Sequence, residues 1–130
     1  MSFSLIIVLV VVAVLFIRMK TLTKSSLSPK DACAAAKAGT ALIIDVREPN
    51  EWKAGVAEPA LLLPLSDLNG KRVEWGPFLA KNKDQRLLLY CQGGVRAGTA
   101  ATLLASEGYR AENIGGFPAW VGSGLPVRTP

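Results

Sequence analysis

The 130-residue sequence predicts an α/β fold, with a parallel β-sheet covered by helices on both faces and one transmembrane helix at the N-terminus. Short apolar runs of strand length alternate with alanine- and leucine-rich segments of helical length, an order that is typical of a parallel sheet. The run at 87–90, Leu-Leu-Leu-Tyr, is apolar throughout, which indicates a strand that is buried on both faces. A third observation, the uncharged stretch at 3–17, predicts the separate N-terminal helix.

The stretch at 3–17 (FSLIIVLVVVAVLFI) carries no charge and is followed by Arg18, Lys20 and Lys24. It is shorter than the roughly 20 residues that cross a bilayer core, but the snorkelling side chains of Arg18 and Lys20 extend it. A cleaved signal peptide is the alternative. It would need a basic segment before the run and a small-residue cleavage site after it, and neither is present. We therefore expect an uncleaved anchor.

This interpretation divides the chain into a transmembrane anchor at 1–20, a linker at 21–28 and a folded domain at 29–130. Residues 3–19 would contact the membrane. Basic residues follow the apolar run but do not precede it, and positive flanks tend to stay in the cytoplasm. We therefore expect a single-pass protein of the inner or plasma membrane whose domain faces the cytoplasm.

Composition excludes several classes of function. The formal net charge is +5, yet the chain has no lysine- or arginine-rich block and no alternation of basic and aromatic residues, so nucleic acid is not an expected partner. The chain has no histidine, which excludes Ser-His-Asp and Cys-His mechanisms. With two cysteines, no metal site is expected, and no cofactor is implied. Cys33 is expected to be reduced and to fill the core, with a resolving thiol as the alternative.

The elements of the domain follow one another in a regular order. Ser28 as N-cap, Pro29 in the first turn and Gly39 after the last turn predict the first helix of the domain. The pattern then predicts a strand at 41–45, a short helix at 50–54, a strand at 61–65, a helical turn from 66, a helix within 73–81, a strand at 87–90, a helix at 95–107, a short strand at 109–114 and a helical turn at 117–120.

Cys91 lies where the strand at 87–90 ends and just before a helix begins. Gly93 and Gly94 allow a tight turn there, with backbone N–H groups that point inward. Those N–H groups, the positive end of the helix dipole and the guanidinium of Arg96 favour an anion, and the first anion available is the thiolate of Cys91. A small buried hydrophobic role is the alternative for a free cysteine, but this setting favours a nucleophile.

Four motifs, in order and at matching spacing, resemble those of the rhodanese sulfurtransferases over roughly residues 25–128. The segment CQGGVR at 91–96 resembles the active-site loop C-x-x-G-x-R, and DVREPNEW at 45–52 resembles the early D-V-R-x-x-x-E-[FWY] motif. The segment ALLLPL at 60–65 resembles the following strand. GGFPAW at 115–120, with GLP at 124–126, resembles the closing motif. The resemblance implies a rhodanese-like fold for the domain.

The resemblance also implies roles for particular residues. Cys91 would be the catalytic nucleophile, and the rest of the loop would bind substrate and cradle the sulfur: Gln92, Gly93, Gly94, Val95 and Arg96. The resemblance further implies that Asp45, Arg47 and Glu51 brace the site, although Asp45 and Arg47 follow a parallel strand, a place where ligands also bind. Val56 stands where the family usually has a histidine, which is generally not its nucleophile.

The implied reaction is two displacements at sulfur, through a persulfide on Cys91. The first partner would be a small anionic sulfur donor such as thiosulfate, and the second a thiol or protein-cysteine acceptor. Arg96 would bind the anionic donor through paired hydrogen bonds, with a surface salt bridge to Glu107 or Asp45 as the alternative.

Two other functions stay open at this point. Cysteine phosphatases and arsenate reductases of similar fold use the longer loop C-x5-R, which seats a tetrahedral oxyanion, whereas C-x4-R between Cys91 and Arg96 suits a single sulfur atom. The other alternative is a membrane-tethered rhodanese-like binding or regulatory module with little turnover. The presence of both Cys91 and Arg96 favours the enzyme.

Overall fold

The computed structural model describes residues 2–23 and 27–130, so the predicted linker at 21–28 lies partly outside the described residues. The helices are α1 Phe3–Thr23, α2 Pro29–Lys37, α3 Pro49–Trp52, α4 Leu65–Leu68, α5 Trp75–Lys81, α6 Val95–Ser106 and α7 Phe117–Gly122. The strands are β1 Leu42–Asp45, β2 Val56–Ala57, β3 Leu61–Leu62, β4 Arg86–Cys91, β5 Arg110–Gly116 and β6 Val127–Arg128.

The main sheet has four parallel strands in the order β3-β1-β4-β5. In this register Asp45 at the end of β1 lies opposite Tyr90 on β4, and Cys91 lies opposite Gly116 on β5. Because parallel strands all end at the same edge of the sheet, the polar side chains that follow β1 and β4 meet there. The fold therefore brings Asp45 and Cys91 to one edge from positions far apart in the sequence.

Helices cover the sheet on both faces, as predicted. Leu87, Leu89 and Cys91 point into one core cluster with side chains from α4, α5 and α6. Leu88 and Tyr90 point into the opposite cluster with side chains from α2 and α7. This alternation explains why β4 is apolar throughout, since each of its faces packs against a helical layer. The prediction of an α/β fold with a parallel sheet is confirmed.

The first helix of the domain begins at the predicted cap. The Ser28 hydroxyl oxygen accepts a hydrogen bond from the backbone N–H of Asp31 at 3.1 Å, and Pro29 occupies the first turn. The strand predicted at 61–65 is shorter and ends at Leu62. Pro64 has no N–H to donate to a neighbouring strand, and it serves as the N-cap of α4.

A two-stranded antiparallel ribbon of β2 and β6 was not predicted. Val56 pairs with Arg128 and Ala57 with Val127. The Arg128 side chain also donates to the carbonyls of Glu58 and Ala60, at 3.0 and 2.7 Å. Two residues are too few to show a period of two in a sequence, and this ribbon joins segments about 70 residues apart.

The N-terminal segment forms helix α1, but the membrane assignment needs correction. Across the residues that the structure describes, none of the helices combines the length and the apolar character that crossing a membrane requires. The uncharged run at 3–17 gives a helix of about 22 Å, less than the roughly 30 Å of a hydrocarbon core. A transmembrane anchor at 1–20 is therefore not supported. The predicted localisation, in the inner or plasma membrane with the domain facing the cytoplasm, was wrong.

Candidate active site

Cys91 is the last residue of β4, and its side chain is held beneath the loop that follows. Only 1% of the residue is exposed. Its Sγ accepts hydrogen bonds from the backbone N–H of Gly94 at 3.0 Å and of Ala97 at 3.4 Å. Both donors belong to the start of α6, where backbone N–H groups have no partner within the helix and the helix dipole is positive. The sulfur therefore occupies an environment that stabilises negative charge.

Gly94 gives this loop its shape. It is the N-cap of α6, and its φ of +93° lies in the left-handed region that side chains disfavour. Gly93 is different, because its φ is not positive and a Cβ there would meet nothing within 4 Å. The turn predicted from two glycines therefore depends on Gly94 for its conformation, while Gly93 leaves open space at the surface of the loop.

Strand β5 packs tightly against the same loop. A Cβ on Gly116 would come within 2.4 Å of the Gln92 carbonyl oxygen, so only glycine fits there. Asn113 adds a polar link, since its Nδ2 donates to the Gly94 carbonyl at 3.0 Å and its Oδ1 accepts from the Gly115 N–H at 2.9 Å. Asn113 was missed in the sequence. The only signal was an asparagine two residues before a glycine pair, a pattern that favours a local side-chain turn.

Arg96 lies in the first turn of α6 and forms a bidentate ion pair with Glu51. Its Nη1 and Nη2 donate to the two carboxylate oxygens at 2.5 and 2.8 Å, and both side chains are about one-third exposed. The two partners suggested by the sequence are engaged elsewhere: Glu107 pairs with Arg72, and Asp45 with Arg47. The salt bridge considered as the alternative for Arg96 is therefore present, but its partner is Glu51. The hydrogen bonds with Arg96 lower the pKa of Glu51 to about 2.

Glu51 is fixed in place by the short helix α3. Pro49 opens this helix, and Glu48 and Glu51 form a capping box in which Glu51 Oε1 accepts from the Glu48 N–H at 3.3 Å. The Glu48 carboxylate in turn accepts from the backbone N–H and hydroxyl of Ser66, at 3.1 and 2.7 Å. The loop after β1 therefore presents Glu51 to α6, although the two chain segments are 45 residues apart.

Arg47 and Asp45 form a second ion pair, which is buried. Arg47 Nε lies 3.1 Å from each carboxylate oxygen, and Nη2 donates to Asp45 Oδ2 at 2.9 Å and to the Gly55 carbonyl at 2.8 Å. Its guanidinium also lies 4.6 Å from the centre of the Phe117 ring. Burial lowers the pKa of Arg47, but the hydrogen bonds and charge of Asp45 outweigh burial and leave the pKa raised.

One hydrogen bond connects this buried pair to the cysteine loop. Arg47 Nη1 donates to Gln92 Oε1 at 3.2 Å, so the residue that follows Cys91 is bound to the segment that follows β1. Val56, where the family usually has histidine, is fully buried and pairs in the ribbon. The neighbouring Gly55 supplies the carbonyl that Arg47 binds. An apolar side chain thus fits this position without disturbing the buried ion pair.

A groove of about 900 Å³ lies beside the loop. It runs along α6 towards the end of β5, and its lining is uncharged: Gly93, Gly94, Val95, Gly98, Thr99, Thr102, Leu103, Ser106, Asn113 and Gly115. Val95 is 80% exposed at its rim, whereas Cys91 lies beneath it. The loop therefore separates a buried sulfur from an open neutral surface.

The second cysteine lies away from this site. Cys33 packs in the core cluster beneath α2, on the face of the sheet opposite to Cys91, and both cysteines are free thiols. A sheet therefore separates the two sulfur atoms, and Cys33 is part of the core. This placement does not suit a resolving thiol, which would have to reach the sulfur of Cys91.

Comparisons with known proteins agree with this geometry. A family model for the rhodanese-like domain matches residues 28–123. The chain is 40% identical over 84 residues to the uncharacterized protein YqhL of Bacillus subtilis, a match that covers 63% of this chain and 62% of that protein. It is 36% identical over 91 residues to a sulfurtransferase of Allochromatium vinosum, covering 68% of this chain and 79% of the relative.

Among solved structures, a rhodanese-related protein of Thermoplasma volcanium superposes with a TM-score of 0.68 at 26% identity. The superposition covers 82% of this chain and 100% of that one. The chain thus spans the whole of this structural neighbour but about three fifths of the length of the Bacillus relative.

Proposed function

The chain belongs to the rhodanese-like domain family, and we propose that it is a sulfurtransferase that carries a sulfane sulfur as a persulfide on Cys91. The observation that carries the proposal is the pair of N–H groups, from Gly94 and Ala97, that hydrogen-bond to Sγ. In this proposal these N–H groups at the start of α6 stabilise the negative charge of the thiolate and of the persulfide that forms from it. The similarity to a sulfurtransferase of Allochromatium vinosum supports the same activity.

The first half-reaction loads the cysteine. The Cys91 thiolate attacks the outer sulfur of a donor such as thiosulfate, so that a new S–S bond forms. The S–S bond of thiosulfate breaks, and sulfite leaves with the bonding electron pair. The charge is conserved, because a thiolate and a dianion give a persulfide anion and the sulfite dianion. This is covalent catalysis by an activated nucleophile.

The second half-reaction returns the enzyme to its starting state. An acceptor thiolate, from a small thiol or a protein cysteine, attacks the outer sulfur of the persulfide. The Cys91 thiolate then leaves. The neutral groove is lined in part by Gly93, Gly94 and Val95, so it offers such an acceptor a surface beside the loop that holds Cys91.

The remaining loop residues have separate roles in this proposal. Gly94 holds the turn that aims its N–H at Sγ, and Gly93 leaves space for the incoming donor. Gln92 anchors the start of the loop through its hydrogen bond with Arg47. Arg96 supplies the positive charge closest in sequence to the sulfur and helps to hold an anionic donor.

The three residues predicted as structural support differ in how directly they contact the cysteine loop. In this proposal Asp45 and Arg47 brace the edge of the sheet as a buried pair, and their described hydrogen bond to the loop is the one from Arg47 to Gln92. Glu51 instead contacts Arg96, the loop residue to which this proposal assigns donor binding. We therefore assign bracing to the first two residues and a more direct influence on the site to Glu51.

The test is the intact mass of the full chain after incubation with thiosulfate and removal of the excess. We expect a gain of one sulfur atom, about 32 Da, that disappears on addition of cyanide. Cys91→Ser should abolish the gain, while the matched variant Cys33→Ser should keep it. A folded wild-type chain with reduced Cys91 that gains no sulfur from thiosulfate or from an organic hydropersulfide would refute the proposal.

A further inference from the structure

The charges around the cysteine loop are already paired. Arg96 forms both of its described ion-pair hydrogen bonds with Glu51, and Arg47 is bound to Asp45. The carboxylates whose charges act on Arg96 are those of Glu51 and Glu48. Each arginine at the site therefore has a carboxylate of its own, and Glu48 adds a further negative charge that acts on Arg96.

Several contacts hold Glu51 in this pair. The Glu51 carboxylate is held by two hydrogen bonds from Arg96 and by the Glu48 N–H, and α3 is anchored by its capping box. A donor that seeks the Arg96 guanidinium must therefore displace a fixed carboxylate or share the guanidinium with it. Both routes disfavour a ligand in proportion to its own negative charge.

Two classes of sulfur donor differ in this respect. Thiosulfate is a dianion, and to reach Cys91 it approaches a loop whose Arg96 is already paired with the Glu51 carboxylate. The reacting end of an organic hydropersulfide, R–S–S–H, carries at most one negative charge. In that case the Cys91 thiolate forms a bond to the outer sulfur, the S–S bond of the donor breaks and R–S⁻ leaves with the electron pair. The products are Cys91–S–S–H and a thiolate, so atoms and charge balance.

We propose that Glu51 is a specificity-determining residue that, by occupying Arg96, makes the site prefer organic hydropersulfides over dianionic thiosulfate. The proposal rests on the sulfurtransferase function proposed above and names the donor class for the same site. Glu51 acts through Arg96 and is thus a positioning residue. Its effect is a difference between donors, which a purely structural role would not produce.

The experiment compares the rates at which two donors load Cys91 in the full chain. Thiosulfate and 2-hydroxyethyl hydropersulfide are each mixed with reduced protein, and persulfide formation is followed by intact mass. The wild type should load from the hydropersulfide at least tenfold faster than from thiosulfate at equal concentration. Glu51→Gln, which keeps the shape of the side chain and removes its charge, should raise the thiosulfate rate about tenfold and change the hydropersulfide rate less than threefold.

Two control variants sharpen the result. Glu51→Asp keeps the charge, so its ratio of loading rates from the two donors should stay close to that of the wild type. Glu107→Gln removes an equal charge from an ion pair of similar exposure, at the other end of α6, and should leave the ratio unchanged. A donor ratio that stays within twofold of wild type in Glu51→Gln, or a thiosulfate rate that falls, would overturn the proposal.

The outcome also separates this proposal from the function on which it rests. Loading by both donors with no effect of Glu51 overturns the specificity role and leaves the sulfurtransferase function standing. Loading of the wild type by neither donor overturns both. If Glu51→Gln does not fold, the ratio of the two loading rates in the wild type tests the proposal. A wild type that loads faster from thiosulfate than from the hydropersulfide contradicts it.

Discussion

The two arginine–carboxylate pairs near Cys91 share one chemistry but differ in burial. The Arg47 and Asp45 side chains are 3% and 0% exposed, whereas those of Arg96 and Glu51 are 35% and 29% exposed. A buried pair cannot lose one partner without leaving a charge in the core, while an exposed pair can exchange a partner for water or a ligand. Burial therefore separates an ion pair that maintains the fold from one that can take part in binding.

The number of contacts reinforces this difference. The Arg47 guanidinium binds Asp45, the Gly55 carbonyl and the Gln92 amide, and it also lies over the Phe117 ring. The described hydrogen bonds of the Arg96 guanidinium go to Glu51 alone. Arg47 is thus surrounded by protein groups, and Arg96 has one partner and an open side.

The largest effect should come from breaking the buried pair. Arg47→Met would leave Asp45 buried without a counter-charge and lower the free energy of unfolding by about 3–5 kcal/mol. Urea denaturation of the full chain measures the loss. Arg86→Met is the matched control, because Arg86 and Glu112 form a pair that is about one-third exposed, and it should cost less than about 1 kcal/mol. Similar losses of unfolding free energy in the two variants would contradict the contrast between buried and exposed ion pairs.

The exposed pair should reverse this pattern, with a large effect on activity and a small one on stability. Arg96→Met should lower the rate of sulfur transfer from thiosulfate to cyanide at least tenfold, because the donor loses its cation. Arg96→Lys keeps the positive charge but not the paired hydrogen bonds, so its rate should lie between those of the wild type and Arg96→Met. Arg72→Met, which breaks the pair with Glu107, should leave the rate near wild type. If both Arg96 variants transferred sulfur as fast as wild type, the substrate role would be wrong.

The loop between the two pairs offers a test of intermediate size. Gly94→Ala places a side chain at a φ of +93° and should cost about 1–2 kcal/mol of stability. It should also slow persulfide formation, because the Gly94 N–H would move away from Sγ. Gly93→Ala meets open space and should change the denaturation midpoint little. Equal stability of the two variants would show that the left-handed turn matters less than the geometry suggests.

The smallest effect concerns acid. Because Arg96 depresses the pKa of Glu51 to about 2, the stabilisation from this pair is fully present above the ordinary glutamate pKa of about 4.3. It is lost as the pH falls from there towards 2. Solvent screening limits it to about 1 kcal/mol. The difference in unfolding free energy between wild type and Glu51→Gln should therefore shrink between pH 5 and pH 2.5. If this difference instead grew as the pH fell, the ion pair with Arg96 would not stabilise the fold through the ionised form of Glu51.

The sequence predicted the features that depend on local pattern. The apolar run before Cys91 indicated a doubly buried strand, and the cap at Ser28 with Pro29 marked the start of a helix. The position of Cys91 between strand and helix followed from its neighbours alone. These signals are short-range, because burial on both faces and helix capping leave a mark on adjacent residues.

The features that the sequence did not predict depend on distant contacts. Nothing near Arg96 indicates that its partner is Glu51 rather than Glu107 or Asp45, because the choice is made by how α3 packs beside α6. The ribbon of β2 and β6 has the same origin. The N-terminal error was different in kind, since the prediction relied on snorkelling side chains to extend an apolar run whose uncharged length is too short.

The alternation of side chains along β4 also matters to anyone who would redesign this protein. Because Cys91 and Tyr90 point to opposite faces of the sheet, an extra residue within the strand would exchange their positions and turn the sulfur away from α6. An insertion that keeps Cys91 beneath α6 therefore has to follow the strand, between Cys91 and Gly94. One residue inserted there would give the seven-residue spacing of oxyanion-binding loops. This short segment is therefore where a protein engineer would convert a loop that binds sulfur into a loop that binds phosphate.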